Sequence, residues 1–243
     1  MPEESVDSEP TFRSDVTVQL VKHAAEDTDV TFAARVSTLG GETRFTEATA
    51  RDAGLIGYLM RDRHGSPFEH TSMTFYIEAP IFVFREFMRH RVGFSYNEES
   101  GRYRELQPVF YIPGEDRKLV QTGKPGAYTF VEGTTEQKKE VRDLLMENSS
   151  ECYWMYRTLL DAGVAREVAR MALPVNIYSS MYVTCNARSL MNFLGLRTTH
   201  PDAKVPSFPQ REIEMVGEQM EAAWAKLMPL TYAAFNANGR VAP

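Results

Sequence analysis

Arg89-His-Arg-Val-Gly-Phe-Ser-Tyr-Asn-Glu-Glu-Ser-Gly-Arg-Tyr-Arg104 packs charge, amide and small residues into one short stretch. Arg89, Arg91, Arg102 and Arg104 supply planar guanidinium forks, which suit phosphates and other anions bidentately. His90 adds a ring that can stack or titrate, and Asn97, Glu98 and Glu99 add acceptors. Ser100-Gly101 makes a small turn whose backbone N–H groups can converge on an anion.

Working outward, the preceding run Ala79–Met88 is apolar and aromatic, with Pro80 placed to open a helix. Ile81, Phe84 and Met88 fall on one stripe, while Phe82, Arg85, Glu86 and Arg89 repeat on another. The pattern predicts a helix that delivers arginines into a loop. A solvated charged helix end fits the same spacing.

Arg89-His90-Arg91, eight residues, then Ser100-Gly-Arg-Tyr resembles the signature of flavin-dependent thymidylate synthases. The likeness extends from Ala34-Arg-Val-Ser37 to Asn186-x-Arg188 and Leu196-Arg197. It implies an α/β (α+β type) fold, a mostly antiparallel sheet flanked by helices with an additional helical segment. It also implies reductive methylation of dUMP to dTMP. Methylenetetrahydrofolate would supply the carbon, and FAD reduced by NADPH the hydride, in a homotetramer.

Residue by residue, the resemblance assigns dUMP to Glu86, Arg89, Glu98, Glu99, Ser100, Gly101, Arg102 and Arg170, with the phosphate on Ser100, Arg102 and Arg170. The resemblance also makes Arg197 the activating arginine, which would stabilise an ionised uracil ring. FAD falls to His64, Ser66, Glu69, Arg89, His90, Arg91, Asn97, Glu98, Asn186, Arg188 and Asn192, with Ser37 a looser match. Residues 198–208 look like an insertion, so His200 receives no role.

Composition narrows the alternatives. A chain of 243 residues suits one large domain or two intimate subdomains and can bury a large core; it is read as one domain, residues 14–243, behind a disordered tail, 1–13. The net charge of −6 provides no global basic field for nucleic acid or acidic membranes, so the basic character is local and suits a small anion. No apolar run approaches the ~18–20 residues that span a bilayer, and the acidic N-terminus is unlike a signal peptide. A cytoplasmic location is therefore expected. The histidine and cysteine spacings fit no zinc pattern, so no metal is expected.

Along the chain, a strand is expected at Val16–Val21, a helix at Asp29–Ser37, and another from Thr46 to Arg61 with Ala50, Ala53, Leu55, Ile56 and Leu59 inward. His64–His70 is a turn into the strand Thr71–Glu78. Residues 107–133 are Gly/Pro-rich with short β-like pieces at 109–112 and 127–131, and could be a lid or an oligomer contact. Thr134-x-x-Gln137 is a capping box for a long helix to Asp161, with Val141, Leu145, Cys152, Met155 and Leu159 as its seam. A second helix covers Val164–Met171, one or two strands cover 175–186, and a short helix covers Ala187–Leu196. Ser207-x-x-Gln210 reads as the cap of a helix through Lys226.

The thiols bear on mechanism. Cys185 alternates onto the apolar face of its strand and Cys152 lies in a helix seam, and nothing charged and basic flanks Cys185 to lower its pKa. A thiol nucleophile is disfavoured. No Gly-x-Gly-x-x-Gly opens a helix, so a dedicated dinucleotide fold for NADPH is absent from the sequence. Two rivals remain: an arginine-rich RNA-binding module, opposed by the acidic balance and by Glu98 and Glu99 inside the patch, and a nucleotide-binding protein without catalysis.

Overall fold

The computed structural model describes residues 9–40, 50–125 and 127–243, with Ala50 and Ala127 described as backbone only. It divides into two compact units, each assembled from three separate stretches of chain. The first takes Met1–Val16, Glu78–Glu86 and Glu98–Met181; the second takes Thr17–Ile77, Phe87–Asn97 and Tyr182–Pro243. The architecture is the expected mixture of helices and antiparallel sheet.

In the first unit, β1 (Thr11–Arg13) pairs in parallel with β5 (Val109–Tyr111). The end of the expected disordered tail is thus a strand; residues 1–8 lie outside the described residues. The Gly/Pro-rich stretch holds a hairpin of β6 (Val120–Lys124) and β7 (Ala127–Val131), antiparallel with Val120 opposite Val131. Only the second of these strands is legible from sequence, because Gln121–Lys124 is polar and exposed.

The long helix α4 (Thr135–Asp161) starts at the expected capping box: Thr134 Oγ1 accepts from the Gln137 N–H, and Gln137 Oε1 accepts from the Thr134 N–H. Its buried seam is Ser149, Tyr153 and Tyr156, one helical step away from the expected Cys152 and Met155. Aromatic bulk decides this. Tyr153 and Tyr156 fill a core with Leu106, Phe110, Ala169 and Ile177, and burying two tyrosines outweighs burying one thiol and one thioether.

The second helix is shorter than expected, α5 (Arg166–Ala169) followed by a 3-10 turn, Arg170–Ala172. The helix α3 (Ile81–Phe87) stops before the arginines, so Arg89 and Arg91 stand in a turn beyond it rather than on its last turn.

A four-stranded sheet has the order β2 (Thr17–Ala24), β3 (Ser72–Pro80), β8 (Tyr178–Cys185), β4 (Phe94–Glu98). The strand β4 lies inside the stretch read as a loop, and its residues alternate between half-buried and exposed. In the second unit, α1 (Asp27–Leu39) and α2 (Ala50–Arg61) match expectation; the expected start of α2 at Thr46 lies outside the described residues. Ile56 and Leu59 are inward as expected, whereas Ala53 is exposed and Asp52 is buried, paired with Arg35.

The helix α6 (Ala187–Arg197) is capped by Asn186, whose Oδ1 accepts from the Ser189 N–H at 2.8 Å. The helix α7 (Arg211–Leu227) buries Ile213, Val216, Met220 and Trp224 along one face. Ser207 does not cap it; its hydroxyl donates to the Thr198 carbonyl instead. A further helix, α8 (Pro229–Ala237), escaped the sequence reading. Buried Asp27 caps it, accepting from the backbone N–H groups of Leu230 and Thr231 and from the Thr231 hydroxyl. Among the described residues, no helix is long and apolar enough to cross a membrane.

Candidate active site

The second unit builds a cleft on the N-terminal half of α6. At the end of α3, Phe87 stacks on Phe193 of α6 with centroids 4.5 Å apart and meets Phe94 and Tyr96 edge-on. The Tyr96 hydroxyl bonds the carbonyls of Phe87 and His90, which staples the Arg89–Gly93 turn in place. Gly93 has φ +67°, and a Cβ there would lie 2.1 Å from Ser189 Oγ and 2.9 Å from Asn186 Nδ2. Only glycine combines that backbone angle with so close an approach.

From the other side comes the 3-10 turn Ser66–Glu69. Thr71 Oγ1 accepts from the Ala187 N–H at 2.9 Å, tying this turn to the start of α6. Glu69 receives Arg188 Nη1 at 2.5 Å, and Asn192 Nδ2 donates to the Arg188 carbonyl one turn back. The cleft measures ≈ 530 Å³ and its lining includes Glu69, His90, Arg91, Asn186, Arg188 and Asn192, within the size range of small-molecule sites.

His90 sits edge-on to Phe193 at 4.9 Å, and its Nε2 accepts from Arg197 Nε at 3.0 Å. Burial, helped by the Arg197 charge, lowers its pKa from 6.5 to about 4. The imidazole is therefore neutral at pH 7 and carries its proton on Nδ1.

The first unit carries a smaller pocket of ≈ 190 Å³ lined by Glu98, Glu99, Gly101, Arg170 and Ser179 against an apolar wall that includes Ile81, Leu106 and Leu173. The Glu99 N–H donates to the Ser180 carbonyl at 2.8 Å, and Arg104 Nε lies 3.1 Å from the Glu99 carboxylate. Gly101 is buried. A Cβ there would make ordinary van der Waals contact with Arg170 Cδ and Leu106 at 3.4 Å, so Gly101 lies directly beneath the Arg170 stem. Burial, with the neighbouring Glu99 charge, raises the Glu98 pKa, while the Ser179 hydroxyl and Arg170 pull it down. Glu98 thus holds a proton more readily than an exposed glutamate and can serve as donor or acceptor.

Six of the residues assigned to flavin therefore meet in the cleft: Glu69, His90, Arg91, Asn186, Arg188 and Asn192. His64 instead stacks on Tyr58 at 5.4 Å, and Ser66, Arg89 and Asn97 are exposed outside its lining. Of the residues assigned to dUMP, Glu98, Glu99, Gly101 and Arg170 meet in the first unit's pocket. Arg102 stands in an exposed ion pair with Glu167 at 3.0 Å, the Ser100 hydroxyl accepts from the Arg102 N–H, and half-buried Glu86 is outside the lining. Arg197 does not line the cleft; it holds His90. Sequence reasoning missed Ser179, Gly93 and Ser189. The glycine after Arg-His-Arg-Val and the Asn186-x-x-Ser189 spacing were the available signals.

Neither thiol lines either pocket. Cys185 is fully buried and its pKa is pushed up to about 12, and burial also raises that of Cys152.

The donor set of the cleft fits a flavin dinucleotide: guanidinium groups for its phosphates, side-chain amides and a neutral ring for its heterocycle, and a glycine turn that leaves room beside them. Comparison with known proteins agrees. The family model described as thymidylate synthase complementing protein matches residues 19–230. The chain is 70% identical over 239 residues to the flavin-dependent thymidylate synthase of Streptomyces avermitilis, covering 98% of this chain and 97% of that one. It is 61% identical over 236 residues to that of Tropheryma whipplei, covering 97% and 98%. The crystal structure of a UMP/dUMP methylase, PolB from Streptomyces cacaoi, bound with 5-Br dUMP, aligns with a TM-score of 0.90 and 55% identity over 96% of this chain and all of that one. With a family model spanning most of its length, the chain belongs to the flavin-dependent thymidylate synthase family and is an enzyme.

Proposed function

We propose that the enzyme methylates dUMP reductively to dTMP, with methylenetetrahydrofolate as carbon donor and NADPH as the source of reducing equivalents through FAD. The observation that carries this reading is the convergence of residues 90–94 and 186–192 with Glu69 on one cleft of the second unit. Bound there, FAD would supply the hydride. Arg91 and Arg188 would hold its phosphates, and Asn186 and Asn192 its polar edges.

For dUMP, the pocket of the first unit offers Arg170 to the phosphate, with Glu98, Glu99 and Ser179 as hydrogen-bonding partners for sugar and base. Arg197 lines neither pocket of the single chain, and the activating role assigned to it rests on the family resemblance: a cation beside an ionised uracil ring would stabilise it and concentrate electron density at the carbon to be methylated. Neutral His90 supports that role by accepting from Arg197 Nε and setting the plane of the guanidinium. Two inert thiols support activation without a cysteine nucleophile.

Assembly as a homotetramer is part of the proposal. Leu144, Trp154 and Met155 of α4 are exposed, and Leu144 and Met155 lie three turns apart on one face. A cytoplasmic location suits the two free cysteines. Two of the four arginines in the stretch are matched by carboxylates, Arg102 by Glu167 and Arg104 by Glu99, which weakens it as an RNA-binding surface.

The test is a visible spectrum of the purified protein followed by turnover. Oxidised-flavin bands that change on adding dUMP, and dTMP formation dependent on both NADPH and methylenetetrahydrofolate, are expected. A colourless protein that FAD cannot reconstitute would sink the reading, and dTMP formed without the folate would remove its carbon donor.

A further inference from the structure

The segment Arg240–Pro243 touches α6 near both ends of that helix. Arg240 is 3% exposed, has φ +55°, and lies 5.0 Å over the Phe235 ring. Its guanidinium grips both Glu221 oxygens at 2.6 and 2.8 Å, Asn236 Oδ1 at 2.8 Å and Thr198 Oγ1 at 2.9 Å. Thr198 follows Arg197 directly. Beyond Arg240, Arg63 Nη1 donates to the carbonyls of Val241 and Ala242 at 3.1 and 2.8 Å. The segment ends with the main-chain oxygen of Pro243, which accepts from Arg188 Nε at 2.7 Å.

We propose that residues 240–243 form a positioning strap for the cleft: Arg240 seats the strap, and Pro243 sets the orientation of the Arg188 guanidinium. The inference rests on the cleft being the flavin site. Glu69 alone is a weak anchor, since the Arg188–Glu69 pair is 39% and 44% exposed and solvent screens it. A second bond on Nε fixes the plane of the fork. The two bonds use two of its five donors, so the rest stay with a ligand in a set direction. Gly65 leaves the space this geometry needs, because a Cβ there would lie 2.4 Å from Arg188 Nε. Holding the side chain in its binding conformation removes an ordering cost that the ligand would otherwise bear.

Arg240 itself is unsuited to mutation, because its loss strands Glu221 largely buried and so tests folding. The experiment titrates flavin-stripped protein with FAD for four forms: wild type, Arg188→Ala, a variant lacking residues 241–243, and the combination. Arg188→Ala and the deletion should each weaken FAD binding about tenfold, and the combination should bind no worse than Arg188→Ala alone. If Arg188→Ala weakens binding and the deletion does not, the strap fails while the flavin reading stands. If the deletion weakens binding equally in both backgrounds, the strap merely supports the fold and the proposal is overturned. If wild type does not bind FAD, or Arg188→Ala binds it normally, the flavin reading fails and the strap with it. Should the deletion not fold, Arg63→Ala, which frees the strap without shortening it, replaces it in the same cycle with an expected weakening of about threefold.

Discussion

Arg197 donates its Nε proton to Nε2 of His90 across 3.0 Å, so a permanently charged side chain is positioned by a ring that must stay neutral. Residues 107 apart in sequence thereby form one unit. The arrangement accounts for a histidine whose pKa falls to about 4: burial disfavours the imidazolium, and the adjacent guanidinium repels it.

A pH dependence follows. The folded pKa lies below the ordinary value of 6.5, so the unfolded chain binds the proton more readily between the two. The stabilisation is complete above pH 6.5 and is lost as pH falls through about 4. Urea titrations across that window should show stability declining with acid, and His90→Gln should flatten the slope. An unchanged slope in that variant would place the acid sensitivity elsewhere.

Arg197→Ala should depress methylation at saturating dUMP while NADPH still reduces the bound flavin, because the lost interaction strengthens as charge builds on the ring. Single-turnover traces that follow flavin reduction and reoxidation separately make the check. Normal turnover once dUMP saturates would reduce Arg197 to a binding residue.

Arg170 and Arg102 should part company. Arg170 lines the pocket of the first unit, whereas Arg102 is held on the surface by Glu167. Arg170→Ala should weaken dUMP binding by about tenfold or more with the rate at saturation kept. Arg102→Ala should cost less than about 1 kcal/mol in both stability and dUMP affinity. Calorimetric titration of each variant with dUMP decides, and equal losses would return Arg102 to the phosphate site.

Cys185→Ala should retain methylation and lose roughly 1–2 kcal/mol of stability, since the residue is fully buried and truncation leaves a small cavity. Cys152→Ala, at a half-buried helix position, should be close to neutral in both respects. Abolished turnover in a folded Cys185→Ala protein would reinstate a thiol nucleophile.

Gly65→Ala offers a mutation that should spare the fold and injure the site. The three atoms nearest its Cβ would all belong to the Arg188 guanidinium, at 2.4–2.8 Å, and that flexible end can swing away at little cost in stability. The melting temperature should barely move while FAD affinity falls about tenfold. A large loss of stability would mean that the backbone, rather than Arg188, absorbs the clash.

Much of the architecture was legible in local pattern. The Thr134/Gln137 capping box located α4, the Ile213–Trp224 periodicity located α7, and the alternation of residues 175–186 put Cys185 in the core. These signals are readable because caps and amphipathic faces are written in residues a few positions apart. The residues that meet in the cleft were legible through the family pattern, which places chemically distinctive side chains in a set order.

What stayed hidden depends on remote partners. Arg102 pairs with Glu167, 65 positions away, and no local spacing encodes that ion pair. The buried side of α4 was chosen by Tyr153 and Tyr156 meeting Phe110 and Leu106, and α8 by a carboxylate, Asp27, some two hundred residues before it. The sequence by itself determined the Thr134 capping box, the apolar face of α7 and the family. Tertiary structure alone decided which charges were neutralised, which glycines had to admit a neighbour, and that a neutral His90 orients Arg197, because burial and long-range electrostatics arise only once distant segments pack.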